Sequence, residues 1–199
     1  MLIAAAARAA DVSGLYTLRN AREMGSELLL KPDGSFEFML AYGAADYWSK
    51  GTWKSESGAV TLNSDDPEPK PPFRLLSSTT GNKEDSPRVT LVAAGGRPVP
   101  NIDVVLEGAG GTSKARTGSD GVAHFAPVKS PRSAVFQIRV YEFESPALPL
   151  NPEHNEFRFE IDGREITKVR FHDEKLAIDG GSLMLRYAGV DRPMRYTKE

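Results

Sequence analysis

The stretch LLLKPDGSFEFML, residues 28–40, limits what this chain can fold into more than any other. Pro32 pre-sets φ, Asp33 tolerates the bridge or left-handed region and Gly34 accepts positive φ, as a type I turn closing into a bulge requires. Beyond the turn, Phe36, Phe38 and Leu40 share one face and Glu37, Met39 and Ala41 the other, because successive strand side chains point to opposite sides. That period of two fits no helix. GTWKSESGAVTL repeats the arrangement, with Ser57-Gly58 as its turn and Val60 and Leu62 towards the core. From Gly14 to Leu62 the pattern predicts an antiparallel meander.

Composition narrows the function classes. The chain has 25 Lys plus Arg against 27 Asp plus Glu, a net charge of −2, and no long block of one sign. It therefore lacks the electrostatic footprint of a nucleic-acid binder. Cysteine is absent, which removes disulfides, thiolate nucleophiles, cysteine zinc sites and a lipid-anchoring cysteine. At the N-terminus, residues 1–10 read as a signal-peptide remnant or a disordered start: Ala7-Arg8-Ala9 supplies the small-x-small pattern of a cleavage site after the apolar run Leu2 to Ala7. The expected location is periplasmic or secreted. No stretch approaches the roughly 20 apolar residues of a membrane helix.

Two proline-rich passages, NSDDPEPKPP and ESPALPLNP, punctuate the chain, and proline at that density cannot donate to a ladder. Between them, Val89 and Leu91, then Ile102, Val104 and Leu106, alternate as inward positions of two strands joined at Gly95 to Asn101. Strands resume after the second break at FRFEI, ITKVRF, KLAI, SLMLRY and MRYTK. The expectation is an all-β protein. A discontinuous meander or barrel of residues 11–79 and 153–199 would carry an inserted sandwich module at 87–145, an arrangement that avoids open edges in the first domain.

The order GLYTL, LLLKPDGSFEF, GTW, VTL resembles the small lipocalin-like and meander-barrel domains of bacterial envelope proteins. Gly96, Pro98, Val99, Pro100, Thr117, Asp120, Gly121 and Phe125 form a Gly-x-Pro-Val-Pro turn followed by Thr-x-x-Asp-Gly-x-x-x-Phe. Over residues 89–141 this resembles the transthyretin-like, carboxypeptidase-regulatory and bacterial immunoglobulin-like modules. The resemblance implies a β-sandwich that packs, spaces or binds. It carries no ligand set of the catalytic relatives: hydroxyisourate hydrolases end Tyr-Arg-Gly-Ser where this chain reads MRYTKE, and intradiol dioxygenases need two Tyr and two His where the module holds only His124.

Other chemistry is sparse. His124 alternates with Val122 and is expected to point inward, His154 lies in a proline-rich loop, and His172 sits at a turn beside Asp173. None is spaced to pre-form a metal site, so neither metal nor cofactor is expected. No Gly-x-Ser-x-Gly elbow occurs, and GAGGTSKARTG lacks the Lys-Ser/Thr pair of a phosphate loop. The densest aromatic patch is LAYGAADYWSKGTW, which holds both tryptophans. Tyr42, Asp46, Tyr47 and Trp48 are the candidate ligand-binding residues, since flat aromatics with a polar tip commonly line such sites. The expected function is non-catalytic binding or scaffolding in the bacterial envelope, towards a small molecule, glycan or protein. The alternatives are a hydrolase using carboxylates or His124, His154 and His172, and an adaptor pairing through sheet edges.

Overall fold

A computed structural model describes residues 12–81, 86–186 and 193–199; the expected signal remnant at 1–10 lies outside them. The chain is all-β. It begins with β1 (Gly14–Leu18), β2 (Met24–Leu30), β3 (Ser35–Tyr42), β4 (Ala45–Glu56) and β5 (Ala59–Ser64). There follow β6 (Phe73–Thr79), β7 (Arg88–Ala93), β8 (Asp103–Ala109), β9 (Gly111–Arg116), β10 (Val122–His124), β11 (Lys129–Ile138), β12 (Phe143–Glu144), β13 (Leu148–Pro149) and β14 (Glu156–Ile161). A helical turn, α1 (Gly163–Thr167), leads to β15 (Glu174–Asp179), β16 (Ser182–Leu185) and β17 (Met194–Lys198). Two compact units result, one from residues up to Pro69 together with 168–199, the other from 70–167.

The first unit is a closed eight-stranded barrel in which β1 to β5 and β15 to β17 follow one another as an up-and-down meander, β17 closing on β1. Every pairing between those eight strands is antiparallel. The predicted hairpin is present: Gly34 has φ +84°, its N–H donates to the Lys31 carbonyl, and the Asp33 carboxylate accepts from the Ser35 N–H. Strand alternation sends Leu28, Leu30, Phe36, Phe38, Leu40, Val60 and Leu62 inward, all of them buried. Eight strands enclose a space that side chains can fill completely, and here Tyr16, Leu176, Leu183, Leu185 and Tyr196 contribute to filling it.

The segment before β15 completes that core. Residues Ile166 to Phe171, expected as a strand, instead form the end of α1 and an extended strap. The Asp162 carboxylate accepts from the Arg164 N–H and its carbonyl from the Glu165 N–H, which starts the helical turn. Downstream, Lys168 bridges Trp48 of β4 in parallel register, and the Val169 N–H donates to the Trp48 carbonyl. Phe171 exchanges hydrogen bonds with Ser64 and points its ring at Phe38 and Phe36, with centroids 5.1 and 5.8 Å away in edge-to-face geometry.

The second unit contains two sheets around one core. The first has the order β10-β7-β14-β6, the second β12-β11-β8-β9 with β13 also on β11. Phe73 of β6 stacks on Phe136 of β11 at 4.3 Å, and Phe159 of β14 meets Phe136 edge-on at 5.0 Å, so the sheets face each other. The predicted inward residues Val89, Leu91, Ile102, Val104 and Leu106 all lie in this core. Two strands expected with the flanking barrel belong here: β6 and β14 pair with each other, and β14 also pairs with β7, in parallel. The physical reason is that Phe157, Phe159 and Ile161 are needed to fill this core, whereas the barrel is closed by eight other strands.

Candidate functional site

Strand geometry divides the aromatic patch. On β4, Tyr47 pairs with Leu40 and packs against the barrel core, whereas Asp46 and Trp48, one residue either side, take the outer face. Tyr42, at the end of β3, is 55% exposed. The four residues therefore do not converge on a single cavity. Trp48 is held by the strap: the Lys168 ammonium lies 5.5 Å from its ring centroid and 2.8 Å from the Asp66 carboxylate, with the lysine side chain 2% exposed. A cation desolvated over an indole is attracted by the ring quadrupole.

What the outer wall builds instead is a row across strands. In register, Thr17 of β1 faces Glu27 of β2, Glu27 faces Met39 of β3, and Met39 faces Trp48 of β4. Beside this row Gly25, Ala41 and Asp46 form a second. Two small residues next to a 60%-exposed methionine leave a depression, and a groove of about 420 Å³ is lined there by Leu18, Gly25, Glu27, Met39, Ala41 and Asp46, among others. Beneath it the Ser26 hydroxyl donates to the Met39 carbonyl and hydrogen-bonds the Tyr196 hydroxyl at 2.7 Å, which ties the floor to the barrel interior. Glu27 and Asp46 are exposed and form no ion pair among the described residues. Of the candidate residues only Asp46 lines this groove. Glu27 and Met39 went unnoticed because their adjacency depends on hairpin register; the signal present was the mixed outer face of β3.

The histidines are separately placed. His124 is exposed on β10 while Ala123 takes the core position, the reverse of the expected alternation. His154 Nδ1 lies 2.8 Å from the Ser78 hydroxyl and Nε2 3.4 Å from Asn151, partners that orient the ring within the second unit. His172, in the first unit, is 79% exposed, 3.6 Å from Asp173. No group of three or more His, Asp or Glu suited to a metal occurs among the described residues. Glu174, on the inward-facing parity of β15, has its carboxyl pushed up by burial, and its cross-strand neighbour is Leu62.

The most perturbed carboxylate has a structural role. Asp103, at the start of β8, is 5% exposed beneath three cations: Arg116 Nε at 2.7 Å, Arg139 Nε at 2.8 Å and Lys114 Nζ at 3.6 Å. Hydrogen bonds from Arg116, reinforced by Arg139 against the cost of burial, lower its pKa to about 2. An acid held lower in the folded state than its unfolded value of about 3.9 stabilises the fold above that value and loses the contribution as pH falls towards the folded pKa. Asp103 should therefore contribute on the order of 1–2 kcal/mol at neutral pH, a figure reduced because Lys114 and Arg116 are half exposed and Arg139 mostly so. Asp103→Asn is expected to remove that contribution at pH 7 and to make little difference at pH 2. Urea midpoints at the two pH values, read by circular dichroism, check this; equal losses at both would contradict it.

The Thr-x-x-Asp-Gly residues likewise serve the fold, and the Val99 N–H of the Gly-x-Pro-Val-Pro turn donates to the Leu91 carbonyl. The Thr117 hydroxyl accepts from the Ile102 N–H, the Asp120 carboxylate accepts from the Val122 N–H, and Phe125 is buried. Comparison of the chain with protein-family models, with curated proteins and with solved structures finds no match in any of the three.

Proposed function

We propose that this chain is a non-catalytic binding and scaffolding protein of the bacterial envelope, exported to the periplasm or beyond, whose partner docks on the outer wall of the barrel. The observation that carries this reading is the filled interior: Phe36, Phe38, Phe171 and Tyr196 occupy the space in which a hollow barrel would hold a ligand. Recognition then falls to the surface. The groove at Glu27, Met39 and Asp46 has an apolar floor between two carboxylates, which complements an apolar body bearing cationic groups. The eight-stranded meander supports the likeness to lipocalin-like barrels, and the face-to-face sheets support the likeness of 89–141 to transthyretin-like and immunoglobulin-like modules. In this reading the second unit is a spacer. Export itself rests on the Ala7-Arg8-Ala9 pattern and is tested by cell fractionation of the tagged protein, where retention in the cytoplasm would refute it.

A short peptide of alternating lysine and leucine is the probe for the groove, and Trp48, beside Met39, is the reporter. We expect salt-sensitive binding that falls about tenfold in the double variant Glu27→Lys, Asp46→Lys, since exposed ion pairs contribute about 0.2–1 kcal/mol each and reversal adds repulsion. A matching glutamate-leucine peptide should not bind. Absence of binding by the unaltered protein, or affinity indifferent to the charge reversals, would overturn the assignment of the groove.

A further inference from the structure

The second unit gathers three connections at one end. β7 and β14 run parallel in register, with Ala93 opposite Ile161, so the chain leaves both strands at the same end of the sheet. After β7 it turns through Gly95 and Gly96, both at φ +80°, a region open to glycine without steric cost. The Ala93 N–H donates to the Arg97 carbonyl and Val92 bridges Pro98, which pins that turn. After β14 the Asp162 carboxylate accepts from the Arg164 N–H. After β11 a helical turn, Arg139–Tyr141, is closed by the Glu142 N–H on the Arg139 carbonyl. A groove of about 540 Å³ draws its lining from all three connections, a size ordinary for a ligand pocket.

The base of the groove is apolar: Ile161 is buried, and Ala93, Val99 and Tyr141 are half-buried. Arg97, Asp162 and Arg164 are exposed members of the same lining, two positive charges to one negative. The Arg97 side chain forms no hydrogen bond or ion pair among the described residues. We propose that this groove binds a small monoanion with a short aliphatic body, a medium-chain carboxylate. A guanidinium donates two parallel N–H bonds to a planar carboxylate, which Arg97 is placed to do. The alkyl chain lies on the apolar base, and one negative charge balances the surplus of one positive charge on the lining. Because each connection is fixed by its own backbone hydrogen bonds, little ordering accompanies binding. The barrel groove, with Glu27 and Asp46, would repel such a ligand, so this assignment is independent of that groove and adds a ligand to the second unit.

Octanoate is the probe, titrated into the whole protein and followed by amide chemical shifts, with octanamide, octylammonium and acetate as controls. A ligand of that size is expected to bind with a dissociation constant of about 0.2–5 mM. Shifts should concentrate at residues 93–97 and 161–164 and leave Glu27 and Asp46 unmoved. Octanamide and octylammonium lack the negative charge and acetate lacks the chain, so each should bind at least about fivefold more weakly. Arg97→Glu, a change at an exposed side chain that leaves circular dichroism unaltered, should weaken octanoate about tenfold, through one lost ion pair and one added repulsion. The proposal is overturned by the absence of saturable shifts, by shifts centred elsewhere, or by equal affinity for octanamide or acetate. An affinity that Arg97→Glu leaves unchanged overturns it too, as does tighter binding of the dianion octyl phosphate.

Discussion

Phe171→Ala is expected to destabilise the barrel by about 3–5 kcal/mol, the cost of deleting a buried aromatic ring whose surroundings relax only partly. Phe171 is 4% exposed and meets both Phe36 and Phe38 edge-on, so its removal opens a void at the centre of the core and also forfeits the aromatic contacts. The strap that carries it has few other anchors inside the barrel, chiefly Val169. Phe171→Leu should cost less, because it keeps most of the apolar volume. The measurement is direct. Both tryptophans of the chain, Trp48 and Trp53, lie on β4, so tryptophan fluorescence in urea follows the barrel alone, without a contribution from the second unit. A loss under about 1 kcal/mol would mean that the ring is not part of a tightly packed core.

Gly51→Ala should be at least as severe. A Cβ at Gly51 would lie 2.0 Å from the Asn63 carbonyl oxygen and 2.7 Å from Ser64 Cα, both backbone atoms of β5. No rotamer relieves such a clash; the strands themselves must part, at the point where β4 leaves β3 for β5. Overpacking commonly costs 1–3 kcal/mol, and a backbone collision of this depth is expected to exceed about 3 kcal/mol. Gly25→Ala is the matched control, since a Cβ there meets nothing within 4 Å and the backbone is not left-handed. Gly25→Ala should leave the fluorescence midpoint nearly unchanged, whereas Gly51→Ala should abolish the transition or move it to much lower urea. Similar midpoints for the two would refute the close approach of β4 and β5.

Alternation made the strands legible, because a residue's parity determines its face once a strand exists. Phe36, Phe38 and Leu40, Val60 and Leu62, and Val104 and Leu106 could all be placed inside from sequence. Where alternation is ambiguous the reading failed. Ile166, Val169 and Phe171 are spaced as readily for a strand as for a helical turn and strap, and only the hydrogen bonds at Asp162 decide between them. At VAH, a slip of one residue exchanged Ala123 and His124 between core and solvent. The groove was less legible still. Glu27, Met39 and Asp46 are far apart along the chain, and hairpin register alone sets them side by side. Tyr42, Asp46, Tyr47 and Trp48, contiguous in print, are separated by the same rule.

The pairing of β6 with β14 bears on the order in which the chain can fold. β5 and β15 are barrel neighbours separated by a hundred or so residues, and joining them early would close a long loop. Yet Phe73 and Ile161, near the entry and exit of the intervening unit, sit directly opposite each other on adjacent strands. Once that unit has formed, the excursion shrinks to a strand spacing plus two short tails, which cuts the entropy of closure by on the order of 1 kcal/mol. The sandwich thereby acts as a tether that holds the two halves of the barrel near one another. A preformed second unit should therefore speed closure of the barrel by roughly fivefold, the factor to which about 1 kcal/mol corresponds.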